Sequence, residues 1–407
     1  MAGALPDRLP KETPMTTPLG YGMFDSDQHY YETRDSFTRH IEPKFRDMAI
    51  QPAFHNGIEK IRCGDTYSPH DSPIFDVAAR PGSLRELLKG FKTGVGAEHS
   101  YEFEPMRDEY FDRDKRLKLM DEQGVDATFM FCNNAIMVQE LSPNPDVLFA
   151  NLRSFNKWQE EEWGYSYQNR IFCPAMLSLE DLPLALDLLD TVMANGAKAI
   201  AMIPGPCGGR SPADPYFDPF WSKVNEAGLI LGYHIAPSGF VKRRSAEWGL
   251  DPTPSFYHQS AFQWMFMYGD QPIQETIANL VFDNFFGRFP NIKVVTAEWG
   301  IEWAPLLCRK LDKYRGMGRN GPWIGGQLTE RPSDTFKNHV RMHPFWEDDI
   351  ETVVAALGPD VIIGGSDFPH SEGLADPYKL IDHLGGLDAS VQKAIMRDNG
   401  MALVGLG

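Results

Sequence analysis

Apolar, β-rich runs alternate with amphipathic helical patterns through most of this chain, and that alternation constrains its fold more than any other feature. Strands are predicted at 20–29, 126–131, 169–177, 197–204, 229–236, 291–300, 340–346 and 360–367. Between them, stretches such as RLKLMDEQG, LEDLPLALDLLDTVMANG and EDDIETVVAALG place apolar residues three and four apart and stop at a Gly. Eight parallel strands with helices returning along the outside make an α/β fold of the closed (β/α)8 TIM-barrel type. A chain of 407 residues suits one such barrel with long loops.

Two stretches break the rhythm. Residues 41–111 are rich in Pro, Gly, His and aromatic residues with little periodicity, and they read as an insertion after strand one. Residues 237–270 form a second excursion, after strand five. The predicted organisation is therefore an N-terminal tail at 1–19 and a barrel at 20–407. Both long loops emerge at the C-terminal mouth, where barrel enzymes carry their active sites.

The formal charge of −17 disfavours phosphate backbones and anionic lipid surfaces, so neither nucleic acid nor membrane is an expected partner. A small-molecule substrate is expected, and a homodimer is compatible with the composition. Cys63, Cys132, Cys173, Cys207 and Cys308 are odd in number and lack C-x-x-C spacing. With no apolar leader and no run of apolar residues long enough to span a bilayer, a reducing, cytoplasmic location is expected.

Chemistry is suggested by where ionisable residues fall. Asp25, Asp27 and His29 alternate along strand one and so share a face. Buried together they need compensation, and a cation answers all three. A solvated strand end explains one strand equally well. His234, however, closes the run LILGYHIA and Asp367 closes VIIGGSD, so three strand ends carry the same feature. Glu298, ending strand six, is a further metal ligand or a base, or else a salt-bridged rim carboxylate. Glu32 and His370 lie three residues beyond His29 and Asp367, within reach as an outer ligand and a proton carrier respectively. Trp299 at the strand-six exit, His258 and His343 are expected substrate contacts. The segment SFYHQSAFQWMFMYGD supplies an aromatic cover for a bulky hydrophobic group, or a buried helix or dimer contact. Lys242, Arg243 and Arg244 begin eight residues after His234 and would attract an anionic group such as the phosphates of coenzyme A, unless they form a solvated helix face countered by Glu247.

Taken in order, DSDQHYYE, RLKLMDEQGVDATFMF, GYHIAPSG, FGRFPNIKVVTAEWGIEWAPLL, GGSDFPHSEG and RDNGMALVGL resemble the amidohydrolase superfamily, in the branch that contains amino-carboxymuconate-semialdehyde decarboxylase. The resemblance spans about 21–406. It implies a metal held by Asp27, His29, His234 and Asp367. An Asp stands in place of the branch's first His, and Glu298 stands where the decarboxylase has a catalytic His. No lysine on strand four matches the carboxylated, metal-bridging lysine of the wider superfamily, since Lys198 sits at the wrong end of its strand. One or two divalent ions are expected, Zn, Fe or Mn, given the nitrogen and oxygen donors. The resulting expectation is a metal-dependent hydrolase that cleaves an ester, amide or thioester with metal-activated water, Asp367 as base, and Glu298 or His370 passing the proton on. Its alternatives are a metal-dependent, non-oxidative decarboxylase and, in another class, a catalytically inactive, metal-stabilised binding protein.

Overall fold

A computed structural model describes residues 20–55, 57–68, 75–84, 103–236, 239–254 and 259–407. The expected N-terminal tail, and His258 with its neighbours 255–257, lie outside them.

The chain is a (β/α)8 barrel. Its parallel staves are β1 (Met23–His29), β2 (Val125–Phe131), β3 in two pieces (Ile171–Phe172 and Ala175–Met176), β4 (Ala199–Met202), β5 (Ile230–His234), β6 (Val294–Ala297) and β7 (Val340–Met342). β3 is interrupted at Pro174, which has no N–H for the ladder; its first half pairs with β2 and its second with β4. The eighth stave departs from the predicted continuous strand. Pro359–Val361 forms a 3-10 turn, and 362–368 then carries no regular ladder, with one bridge to β7 (Met342 to Ile362) and one to β1 (Gln28 to Phe368). Only a glycine fits at 365, because a Cβ there would collide with the His343 ring.

The outer layer includes α1 (Arg113–Gln123), α2 (Pro145–Glu162), α3 (Leu182–Ala194) and α4 (Asp218–Ala227), each following its stave. Local sequence sets their ends. Asp112 caps α1 by accepting from the N–H of Asp114 and Lys115, and Gly124 stops it at φ 70°. After β5 come α5 (Phe240–Glu247), α6 (Ala261–Tyr268) and α7 (Gln271–Phe282), of which the first two belong to the predicted excursion. Within 41–111 the structure forms antiparallel ribbons, Gln51–His55 with Ile58–Cys63 and Thr66–Tyr67, and Val77–Ala79 with Phe103–Pro105. The core is continuous between staves and helices, with Phe24, Phe129, Trp158 and Trp221 almost fully buried. No helix among the described residues is long and apolar enough to cross a membrane.

Closure between the eighth stave and β1 combines three backbone hydrogen bonds (Ser26 N–H to Gly364 O, Asp367 N–H to Asp27 O and His29 N–H to Phe368 O, each 2.8 Å) with one buried side chain. Asp25 accepts from Ser366 N (2.9 Å), Ser366 Oγ (2.6 Å), Gln28 Nε2 (2.9 Å) and its own strand's Asp27 N (3.2 Å). It is wholly buried, and burial pushes its carboxyl up to about 6 against the hydrogen bonds from Ser366 and Gln28. Removing it orphans several buried donors at once. Asp25→Ala should therefore cost about 3–5 kcal/mol of stability, the range for breaking a buried charged network. Denaturant unfolding followed by circular dichroism checks this, and an unchanged midpoint would remove Asp25 as the clasp.

Candidate metal centre

Five side chains converge where the staves end. Asp27 and His29 leave β1, His234 leaves β5, Glu298 follows β6, and Asp367 sits on the eighth stave; none is more than 5% exposed. His29 Nε2 lies 3.1 Å from His234 Nε2, 3.4 Å from Asp27 Oδ1 and 3.3 Å from Asp367 Oδ1. His234 Nε2 lies 3.5 Å from Asp27 Oδ1 and 3.3 Å from Glu298 Oε2. Donors about 2.1 Å from a shared ion stand roughly 3.0–3.4 Å from one another at octahedral or tetrahedral angles, so these spacings suit one small divalent cation.

Hydrogen bonding supports the same reading. His234 Nδ1 is 2.7 Å from the Ile235 carbonyl, so its proton resides there and Nε2 presents a lone pair to the cluster. Asp27 Oδ1 and both oxygens of Asp367 have no aligned hydrogen-bond donor, although imidazole nitrogens stand close to them. Buried anionic oxygens without aligned donors are costly unless a cation receives them. The demand for positive charge is visible in His29. Burial alone would lower its basicity, yet Asp27 and Asp367 push it up to about 10. Burial likewise opposes ionisation of Asp27, but its contacts with His234, His29 and His343 hold that carboxyl well below its ordinary value.

The backbone is strained at two of these positions. Glu298 (φ 62°) and Asp367 (φ 57°) are non-glycine residues in the left-handed region, a conformation that persists where surrounding structure enforces it. His370 is brought to the cluster too. Its Nδ1 is 2.8 Å from Asp367 Oδ1, its Nε2 is 3.1 Å from Asn133 Oδ1, and its ring stacks on His29 with centroids 3.9 Å apart. Behind His29, the wholly buried Arg116 donates to the His29 carbonyl (2.8 Å) and Gln28 Oε1 (3.1 Å), fixing the end of β1.

Above the cluster opens a cavity of about 260 Å³. His29, His234, Glu298 and His370 are part of its polar lining. Its walls are mostly apolar: Ile61, Val77 and Phe103 from the ribbons, Ile136 and Met137 after β2, and Val241, Met267 and Tyr268 from α5 and α6. Asn133, Asn134, Ser68, Ser371 and Glu372 add polar groups.

Several expected site residues are placed elsewhere. Glu32 is no neighbour of the cluster's donors; its Oε1 accepts from the backbone N–H of Asn133 (3.1 Å), Asn134 (2.7 Å) and Ala135 (3.1 Å), pinning the loop after β2. A carboxylate three residues past a ligand has served backbone donors instead of an ion. His343 is buried beneath the cluster, its Nδ1 2.9 Å from Asp27 Oδ2 and 3.2 Å from the Glu298 N–H, and it does not line the cavity. Trp299 is spent on packing, its Nε1 donating to the Tyr233 carbonyl (3.2 Å). Lys242, Arg243 and Arg244 fall on α5, where it is Val241 that faces the cavity; Lys242 and Arg243 are exposed and Arg244 pairs with Glu247 (2.7 Å). Asn133, Asn134 and Glu372 were not anticipated, whereas Met267 and Tyr268 belong to the segment 255–270 expected to cover the site. The two asparagines follow directly on a predicted strand and Glu372 lies two residues past His370, so position at the mouth was the available signal.

The amidohydrolase family model matches residues 25–406. The chain belongs to the amidohydrolase family. A solved amidohydrolase from Mycobacterium avium subsp. paratuberculosis K-10 is 31% identical, with 95% of this chain and 98% of that one covered at a TM-score of 0.86. The same barrel recurs in a 5-carboxyvanillate decarboxylase from Novosphingobium aromaticivorans DSM 12444 complexed with manganese and 4-hydroxy-3-methoxy-5-nitrobenzoic acid (16% identity, 98% and 99% covered, TM-score 0.61). It recurs again in a dihydroxybenzoic acid decarboxylase from Polaromonas sp. JS666 with bound manganese and 2-nitroresorcinol (15% identity, 95% and 97% covered, TM-score 0.58). No curated protein sequence matches the chain. With the family and the donor cluster together, this is a metal-dependent enzyme, and its oxygen and nitrogen donors suit a divalent ion such as Mn, Fe or Zn.

Assigning the ion to this cluster makes a prediction that separates ligands from neighbours. His234→Ala and Asp367→Ala should each lower bound metal at least tenfold, whereas Glu32→Gln should keep it stoichiometric. Elemental analysis of each variant after dialysis decides, and metal lost from Glu32→Gln alone would reverse the assignment.

Proposed function

We propose that this amidohydrolase is a metal-dependent, non-oxidative decarboxylase of a small carboxylic acid with a largely apolar body. The observation that carries the reading is Glu298. Its carboxyl lines the cavity in strained backbone and is 5% exposed; burial, with the charges of Asp367, Glu372 and Asp27 adding to it, pushes it well above the ordinary carboxylate range. A buried carboxyl on the cavity wall, beside the point where an ion would anchor the substrate, is placed to hand over a proton. The barrel shared with decarboxylases of 5-carboxyvanillate and dihydroxybenzoate supports the same choice.

Asp27, His29, His234 and Asp367 would hold the ion, and Glu298 would sit beside it. A divalent ion there supplies compensation for the buried carboxylates and a Lewis-acidic anchor for an anionic substrate oxygen. Glu298 gives its proton to the carbon that bears the carboxylate. The bond from that carbon to the carboxylate then breaks, its electron pair returns to the substrate framework, and CO2 leaves. The Glu298 carboxylate regains a proton from water at the mouth, so the net change is R–COO⁻ + H⁺ → R–H + CO2. Apolar walls keep water from competing at the carbon.

Acyl hydrolysis, the reaction first expected from the sequence, has less support. Burial raises the carboxyl of Asp367, the supposed base, but His370 and His29 outweigh it and hold the group below its ordinary value, which makes it a weak base. The cations that would greet coenzyme A do not line the cavity among the described residues. An inactive binding protein is disfavoured by a full donor set opening on a cavity.

The test is product analysis with the manganese-loaded protein on a panel of aromatic and unsaturated monocarboxylates. We expect CO2 release and, in D2O, one deuterium on the carbon that carried the carboxylate. Glu298→Gln should keep its metal and lose about 10²–10⁴-fold in kcat, the usual worth of a positioned acid. Release of alcohol, thiol or amine from esters, thioesters or amides, with no CO2 from any acid, would overturn the reading.

A further inference from the structure

Resting on the decarboxylase reading, the cavity wall beside His370 carries a hydrogen-bonding group that neither the metal centre nor the fold uses. Tyr31 follows His29 by two residues at the exit of β1, lines the cavity and is 6% exposed. Its backbone N–H donates to the Tyr110 carbonyl (3.1 Å), and its ring packs against those of Tyr110 and His370, with centroids 5.6 and 6.3 Å away. Ala78 and Phe368 complete the apolar cluster around it. The phenol is thus held in place, yet its hydroxyl has no hydrogen-bond partner among the described residues. The hydroxyls of Tyr110 and Tyr233 are unpartnered too, but they are sealed inside the protein, whereas that of Tyr31 keeps accessible surface. A fixed polar group that opens on a cavity and finds no partner in the protein is placed to meet one on a ligand.

The surroundings say what kind of ligand group it meets. Burial, with Tyr110, Glu372 and Asp367 adding to it, pushes the phenol well up, so the group stays an O–H donor. It therefore selects an oxygen acceptor and offers nothing to a hydrocarbon of the same shape. Glu372 lines the same cavity, half-buried, and its carboxyl is met by the Ser371 hydroxyl (2.7 Å) and by no cation among the described residues. No Lys or Arg among them lines the cavity either. A second anion on the substrate would be repelled at this wall, whereas a neutral oxygen accepts from Tyr31 without that cost.

We propose that Tyr31 is a specificity-determining residue whose hydroxyl donates to a neutral oxygen on the substrate, and that Glu372 on the same wall excludes a second anion from that place. The metal centre anchors the one carboxylate, and Tyr31 sets which way round the rest of the molecule lies.

The test has two arms. The first is thermal unfolding of the manganese-loaded protein without substrate. Tyr31→Phe removes only an unpartnered hydroxyl and keeps the ring, so its Tm should equal or exceed the wild-type value. A clear fall in Tm would make the hydroxyl structural and overturn the proposal. The second arm is calorimetric titration of manganese-loaded wild type and Tyr31→Phe with benzoates that carry a hydroxyl, a methyl or a second carboxylate at one ring position. Wild type should prefer hydroxyl over methyl by roughly tenfold at a position where Tyr31→Phe reduces the preference to about twofold or less without weakening the methyl compound. At that position the dicarboxylate should bind wild type at least tenfold more weakly than the hydroxyl compound, and Glu372→Gln should narrow the gap. Hydroxyl preferences that all survive Tyr31→Phe, or none in wild type, overturn the role of Tyr31 and leave the decarboxylase reading standing. A dicarboxylate that binds wild type as tightly as the hydroxyl compound overturns the role of Glu372. Failure of every benzoate to bind wild type overturns that reading and this assignment with it.

Discussion

The barrel's C-terminal mouth must house a concentration of negative charge that is cut off from water, and much of the surrounding structure follows from that constraint. Asp25, Asp27, Glu298 and Asp367 are all at most 5% exposed. They are compensated in three different ways. Asp25 is answered by donors from Ser366 and Gln28, Asp27 and Asp367 stand against imidazoles where an ion would be held, and burial pushes Glu298 above the ordinary carboxylate range. Differences in local partners thus separate four chemically similar groups into the clasp and, in the proposed reading, two ligands and an acid.

The same division explains how much could be read from sequence. Asp27, His29, His234, Glu298 and Asp367 were legible because a parallel barrel delivers strand ends to one place, so ionisable residues closing apolar runs had to meet. The fold was legible for the same reason, since seven of the predicted runs contain staves and the eighth fails only in regularity. Asp25 and Glu32 were not legible. Their decisive donors are distant in the chain, Ser366 N–H and Oγ from the eighth stave for Asp25 and the N–H groups of Asn133, Asn134 and Ala135 for Glu32, and leave no mark on local pattern. The basic run Lys242–Arg244 took the alternative offered for it, an exposed helix face with Arg244 paired to Glu247. Helical period decides which of four consecutive residues faces inward, and α5 turns Val241 to the cavity.

The long loops supply shape where the staves supply chemistry. Ribbons from the stretch after β1 bring Ile61, Val77 and Phe103 over the mouth, and α6 brings Met267 and Tyr268 from the other side. Part of the expected aromatic cover packs on itself, with Phe262 against Phe266 and Trp248. The resulting chamber has a charged floor, aliphatic and aromatic walls, and a few placed polar groups. That distribution suits a substrate with one ionised end and an apolar remainder.

Everything in this account depends on one ion occupying one point among these side chains. Anomalous diffraction at the manganese edge from crystals of the metal-loaded protein measures that directly. The account predicts a strong peak about 2.0–2.4 Å from an oxygen or nitrogen of Asp27, His29, His234 and Asp367. A peak coordinated by other residues, or none at this cluster with manganese in excess, would contradict it.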